Sequence, residues 1–324
     1  MNKYLITGGS GFIGTSLVEY HLARGDEVMN IDIAPPRNGA HRQAWKNCNI
    51  LDSVTLDKSI AEFSPNHIYH LAARTDLNGK TRDDYAANIA GVESLIAALR
   101  SLPHLQNVIF ASSRLVCTIG YQPQGWDDYC PTTAYGASKV EGEKIVKALP
   151  ESAWTWSLVR PTSIWGPWFG VPYRNFFDSV RTGLYIHPRA GNIYKSFGFV
   201  GNSVHQLVQL MHAPRDLAHR QGFYLGDYEP IEVLSFANLI AKNFNKKNVL
   251  TVPMPLLRIP AFIGDNLQKI GMNFPLTSFR LDNLITPMIH DFDNLKLVVG
   301  PLPFSLEEGV RITTDWMKAD KSNV

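Results

Sequence analysis

Residues 4–14 read Tyr-Leu-Ile-Thr-Gly-Gly-Ser-Gly-Phe-Ile-Gly, a short apolar strand that runs into Gly8, Gly11 and Gly14. A helical pattern follows through Leu17, Val18 and Leu22. A strand, a glycine turn and a helix in this order form the opening of a dinucleotide-binding βαβ unit. One glycine permits a tight turn, one lets the backbone approach a pyrophosphate, and one lets helix and strand pack closely. The N-terminus of the helix then offers free N–H groups to phosphate oxygens. Few openings constrain a fold as tightly as this one.

The rest of the first half keeps the alternation. Strands are expected at Tyr4–Thr7, Glu27–Ile31, His67–Leu71, Val108–Ala111 and Trp156–Val159, with helices at Phe12–Ala23, Val54–Phe63, Asp84–Leu99 and Ala134–Leu149. The strands are almost wholly apolar, as strands covered on both faces must be. The pattern predicts an α/β fold: a doubly wound, Rossmann-type parallel sheet with right-handed crossovers. After Gly166 proline, glycine and aromatic residues crowd the chain and the alternation stops. We therefore expect a cofactor domain over 1–165 and a smaller α/β substrate domain over 166–324, with a segment near 196–230 returning to the first.

Composition excludes several classes. Of 324 residues, 31 are Lys or Arg and 29 Asp or Glu, a net charge of +2 that gives no electrostatic case for nucleic acid or a membrane as partner. Cys48, Cys117 and Cys130 lack metal or redox spacing and are expected as free thiols. The first strand begins at Lys3 with no signal peptide ahead of it, so a cytoplasmic protein is expected. His205 and His212 share a helix face without a third ligand, so no metal is expected. The apolar stretch Met254–Gly264, broken by Pro255, Arg258 and Pro260, reads as a loop and helix of the smaller domain, with membrane docking as the less favoured alternative.

Three further residues suggest chemistry. Asp32 ends the second strand about 20 residues beyond the glycines, where a carboxylate accepts from ribose hydroxyls and repels a 2′-phosphate. It selects NAD over NADP, with Arg37 as the opposing feature, here read as a solvated loop arginine. Tyr135 and Lys139 lie four apart at the start of a helix and share a face. An ammonium beside a phenol would favour the phenolate, which can take a proton from a substrate hydroxyl. Ser112 and Ser113 end the strand Val108–Ala111, at the carboxyl edge where a doubly wound sheet binds its ligand.

With these residues in view the chain resembles an extended short-chain dehydrogenase/reductase of the NAD-dependent epimerase/dehydratase family. The resemblance rests on Thr7–Gly14, His70–Ala73, Asn88 with Gly91, Phe110–Ser113, Tyr135–Lys139, Arg160-Pro161, Trp165–Pro167 and Ser305–Val310 before Trp316. It implies a catalytic triad of Ser113, Tyr135 and Lys139. Phe12 and Ile13 would line the pyrophosphate site. Asn49, which stands where the family usually has aspartate, and Ile50 would lie by the adenine. Leu71, Ala72 and Ala73 would form a wall beneath the cofactor, Asn88 would belong to the cofactor site, and Lys139 would also hold the nicotinamide ribose. A homodimer through the helices bearing Asn88 and Tyr135 is implied too.

The departures narrow the reaction. The family's 4,6-dehydratases carry an acidic pair after the serine or threonine, whereas Arg114, Leu115 and Val116 follow Ser113 here. That disfavours elimination and leaves hydride transfer alone. Lys195 and Arg280 are candidates to hold a substrate pyrophosphate, Asn175 either serves the substrate or caps a helix, and Trp165 and Trp168 could stack on a base or sugar. The expected activity is NAD-dependent epimerisation of a nucleotide sugar, at C4, through a transient ketone. The alternatives are a net dehydrogenase or ketoreductase acting on a nucleotide keto-sugar or sterol-like alcohol, and a catalytically silent NAD-binding regulator.

Overall fold

A computed structural model describes residues 2–100, 102–269, 272 and 277–320. Among these residues seven strands form one parallel sheet: β1 (Lys3–Thr7), β2 (Glu27–Asp32), β3 (Trp45–Asn47), β4 (His67–His70), β5 (Asn107–Ala111), β6 (Thr155–Pro161) and β11 (Gln221–Leu225). Their order is β11-β6-β5-β4-β1-β2-β3. The order reverses at β1, so the connections that leave β1 and β4 run to opposite sides and open a crevice at the carboxyl ends of the two strands. The helices α1 (Phe12–Ala23), α2 (Ser53–Phe63), α3 (Ala86–Leu99) and α4 (Ala134–Lys147) connect the strands.

Two apolar layers cover the sheet. On one face Leu56, Ile60, Leu95, Ile96 and Trp156 pack over Leu5, Ile68 and Val108. On the other Leu17, Val18, Leu207 and Met211 pack over Ile6, Tyr69 and Ile109. Both faces are therefore dry, which is why the strand sequences show no polar alternation.

Between β6 and β11 the chain forms β7 (Ser163–Trp165), α5 (Tyr173–Thr182), β8 (Ile186–Arg189), β9 (Tyr194–Lys195), β10 (Phe197–Phe199), α6 (Val200–Met211) and α7 (Arg215–Ala218). α6 returns to pack on α1, and β11 pairs in parallel with β6. The chain then adds β12 (Ile231–Glu232), α8 (Val233–Asn243), β13 (Leu250–Pro253), α9 (Met254–Lys269), α10 (Ser278–Ile285), α11 (Asp293–Val299) and α12 (Leu306–Ala319). A third core of Trp165, Phe177, Phe199, Phe236 and Val310 holds this half together. Trp165 is completely buried there against Phe177, Phe199 and Phe236, which corrects the expectation that it could stack on a ligand. No helix among the described residues is long and apolar enough to cross a membrane.

Candidate active site

The crevice is built first by backbone. Gly8 has φ +75°, and a Cβ there would lie 2.6 Å from the amide nitrogen of Ala72. A Cβ on Gly14 would collide with the Gly8 carbonyl oxygen. The turn is thus wedged between β4 and the first turn of α1, with room for backbone alone. Gly11 caps α1 without any side-chain hydrogen bond, so the first N–H groups of the helix remain available to an anion. Phe12 and Ile13 follow at once and pack against the aromatic core of the second half. Leu71, Ala72 and Ala73 continue from the end of β4, and the amides of Leu71 and Ala72 donate to the Thr7 carbonyl and hydroxyl at 3.0 and 3.3 Å.

Asp32 stands at the end of β2, where its Oδ2 accepts from the Ser10 amide at 3.1 Å and Oδ1 from the Ala34 amide at 2.9 Å. Each oxygen keeps a lone pair for a further donor. The uncapped helix, the glycine cradle and this carboxylate together fit an adenine dinucleotide. Arg37 is an exposed loop arginine, as expected, yet its guanidinium is also held. Its loop turns back, so that Nε donates to the Ser10 carbonyl at 3.1 Å and Nη1 to the Trp168 carbonyl at 2.7 Å. Asn49 is exposed in a turn after β3, with Oδ1 accepting from the Leu51 amide, while Ile50 is buried against Gly91.

α4 supplies the reactive side chains. Thr133 caps it by accepting from the Gly136 amide at 3.0 Å. A Cβ on Gly136 would strike the Leu115 carbonyl, so the start of the helix lies directly on the 3-10 turn Arg114–Val116. This contact brings Ser113 to Tyr135. The Ser113 hydroxyl lies close enough to the Tyr135 phenol to favour its charged form, and Ser113 Oγ accepts from the Leu115 amide at 3.1 Å. Lys139 lies one turn further on, buried, with Nζ donating to the Ala111 carbonyl at 2.9 Å. Ser112, beside Ser113, is buried with no hydrogen-bond partner for its hydroxyl.

Burial raises the Tyr135 phenol above its ordinary value, and the nearby Ser113 hydroxyl and the Arg114 charge pull against it. This differs from the expectation that Lys139 would set the phenol. The Lys139 ammonium is turned onto the Ala111 carbonyl, and burial pushes it down to about 8, with the Glu143 carboxylate opposing. Arg114 also bears on Lys195 and His290, so it is a shared cation of the crevice that the sequence reading passed over. No carboxylate appears among the described groups that shift Tyr135.

The remaining candidates separate. Asn88 is fully spent: Oδ1 accepts from the Arg74 amide, and Nδ2 donates to the Arg74 carbonyl and Ser138 Oγ, at 2.8 to 3.0 Å. It ties the segment after Ala73 to α4 rather than presenting a free group. Lys195 is buried, pushed down to about 8 by burial and Arg114, and its Nζ donates to the Asn283 carbonyl of α10 at 2.6 Å. Arg280 is exposed three residues earlier in that helix. Asn175 is exposed in the first turn of α5, whose cap position is Pro172, so it does not cap that helix.

Sequence reasoning also missed Glu143. Its carboxylate forms a fully buried pair with Arg160 at 2.8 Å, and the guanidinium lies 3.7 Å from the centre of the Trp126 ring. The signal was present, since Tyr135, Lys139 and Glu143 follow one another at intervals of four on one helical face.

Residues 4–213 match the NAD dependent epimerase/dehydratase family. The chain belongs to that family. Its members include NAD-dependent epimerases, dehydratases and dehydrogenases, and this chain is an enzyme of that extended short-chain dehydrogenase type. It is 25% identical to an N-acetyl-alpha-D-glucosaminyl-diphospho-ditrans,octacis-undecaprenol 4-epimerase from Escherichia coli O157:H7, over 97% of this chain and 95% of that protein. It is 29% identical to a 3 beta-hydroxysteroid dehydrogenase/Delta 5-->4-isomerase from Mycobacterium tuberculosis, over 73% and 68%. The fold is that of the Thermus thermophilus UDP-glucose 4-epimerase solved with NAD, with a TM-score of 0.73, 18% identity, and coverage of 98% of this chain and 99% of that one.

Proposed function

We propose that this enzyme is an NAD-dependent epimerase of a nucleotide sugar, acting at C4, with Ser113, Tyr135 and Lys139 as its catalytic residues. The observation that carries the reading is the placement of the Ser113 hydroxyl beside the Tyr135 phenol, one helical turn from a buried Lys139, with Arg114 in place of an acidic pair. This set moves a proton on and off a secondary alcohol and holds no carboxylate for elimination. NAD, when bound, supplies the hydride acceptor. Ser113 holds the substrate oxygen, Tyr135 takes its proton and returns it, and Lys139 fixes the cofactor ribose and adds positive charge. Gly8, Gly11, Phe12, Ile13, Gly14, Asp32, Asn49, Ile50, Leu71, Ala72 and Ala73 would surround the dinucleotide, and Asn88 would brace that wall. Arg280 and Asn175 are the substrate candidates with exposed side chains.

Incubation with UDP-glucose or UDP-N-acetylglucosamine should interconvert the C4 epimers, read by proton NMR, with no steady change in nicotinamide absorbance. Continuous formation of NADH would sink the epimerase reading. It would favour a second one, a net dehydrogenase acting on a sterol-like alcohol. Two observations support that alternative: Lys195 spends its ammonium on the Asn283 carbonyl instead of facing a pyrophosphate, and the hydroxysteroid dehydrogenase is among the relatives. The same proposal carries a homodimer through α3 and α4 in the cytoplasm, checked by light scattering of the purified protein.

A further inference from the structure

The helix α9 is apolar on two faces, and the protein uses one of them. Leu257 and Ala261, four apart, are buried against Leu281 of α10 in a small core separate from the three main ones. On the other side Leu256, Ile259 and Ile263 share an outward stripe with Phe262 beside it. Ile259 is 63% exposed and Phe262 67%. Phe279 of α10 and Leu250 of β13 are exposed at 68% and 62% on elements packed against α9. Scattered exposed apolar residues are ordinary in a folded protein, but large ones gathered on three touching elements mark a contact surface.

Charge indicates what the surface meets. Residues 242–285, through the end of α10, contain six cations (Lys242, Lys246, Lys247, Arg258, Lys269, Arg280) and two carboxylates, Asp265 and Asp282. The remainder of the chain carries 25 cations against 27 carboxylates, so this segment is the basic part of an otherwise slightly acidic molecule. Lys242, Lys246 and Lys247 are exposed at the end of α8 and in the loop that leads into β13. Arg258 sits beside Phe262 on α9 with its side chain 61% exposed, 3.9 Å from Asp282. Asp265 is occupied by the Ser278 amide. Large apolar side chains with a basic collar on a helix too short to span a bilayer are the pattern of an interfacial helix.

We propose that α9, with the adjoining parts of α10 and β13, docks on the surface of an anionic lipid bilayer, with the apolar stripe in the headgroup layer and the lysines facing the phosphates. This departs from the expectation of no membrane partner, which rested on a near-neutral total charge. The total conceals a strongly uneven distribution. α10 is also the helix whose Asn283 carbonyl holds Lys195, so docking brings one wall of the crevice to the lipid surface. The proposal is independent of which alcohol the enzyme acts on.

The full chain should float with vesicles of phosphatidylcholine containing about one-third phosphatidylglycerol, and remain behind with phosphatidylcholine alone or in high salt. Ile259→Ser combined with Phe262→Ser changes only exposed side chains and should keep the thermal midpoint, yet weaken vesicle binding at least about tenfold. Lys246→Glu with Lys247→Glu, away from any core, should weaken it as well. Wild-type protein left in solution with anionic vesicles overturns the proposal, as does a serine variant that binds as well as wild type. Light scattering gives a third decisive outcome: a dimer that the serine substitutions dissociate would assign the surface to a second copy of the chain.

Discussion

In the proposed reaction Tyr135 is the side chain least easily spared, since its hydroxyl would exchange the substrate proton beside Ser113. Tyr135→Phe keeps the ring in its buried seat and removes only that oxygen. Turnover should fall by about 10²- to 10⁴-fold while NAD binding, followed by isothermal titration, stays within about twofold of wild type. Retained turnover would move the chemistry elsewhere. Gly14→Ala acts at the opposite end of the site. The added methyl meets the Gly8 carbonyl, so either the turn or α1 must shift. That variant should lose dinucleotide binding in the same titration while remaining folded by circular dichroism. The placement of the glycine turn, of Asp32 at the end of β2 and of Tyr135 and Lys139 on one face of α4 was legible in the sequence because each pattern fixes both a residue type and a spacing. Lys195, Arg37 and Arg114 were not, because what they do depends on carbonyls and charges distant in the chain.

At the scale of elements, α4 has two duties on one face: Tyr135 and Lys139 enter the crevice, and Glu143 anchors the helix to β6 through Arg160. Both partners of that ion pair are wholly buried, so removing one strands the other away from water. Glu143→Ala should therefore cost roughly 3 to 5 kcal/mol in urea unfolding, whereas Glu143→Leu with Arg160→Met should cost much less. Equal losses in the single and double variants would deny the pair its role. The long buried strands and the amphipathic helices of the first half could be read from periodicity alone. β3 could not, because three residues at a sheet edge carry too little pattern. The second half resisted reading for a different reason. Its two-residue strands β9 and β12 exist because they pair with each other in an antiparallel ladder, which no local run of residues encodes.

The molecule as a whole carries acid-sensitive buried histidines at both ends of its sheet. His67 is buried against Tyr4 and His212, and burial with the neighbouring His212 and His21 pushes it down to about 4; His70 is held at about 3 and His290 at about 4. Each is neutral when folded and takes up a proton near 6.5 when unfolded. The unfolded chain thus binds more protons between those values, so stability is complete above about pH 6.5 and is lost as pH falls toward 4. For His67 alone the loss is roughly 3 kcal/mol, and His67→Phe should flatten that part of a pH series of urea midpoints. An unchanged slope would place the acid sensitivity in other groups. The contact made by Arg37 has a consequence in time rather than in energy. Its guanidinium joins the Ser10 carbonyl of the first loop to the Trp168 carbonyl of the second half, while Phe12 packs near Phe169, their ring centres 6.3 Å apart. A dinucleotide bound on the glycine turn would sit beside this bridge. If the bridge has to open before the dinucleotide leaves, its dwell time would follow the rate at which the two segments part. Arg37→Ala should then shorten that dwell time in a stopped-flow release measurement, whereas an unchanged rate would deny the bridge that part.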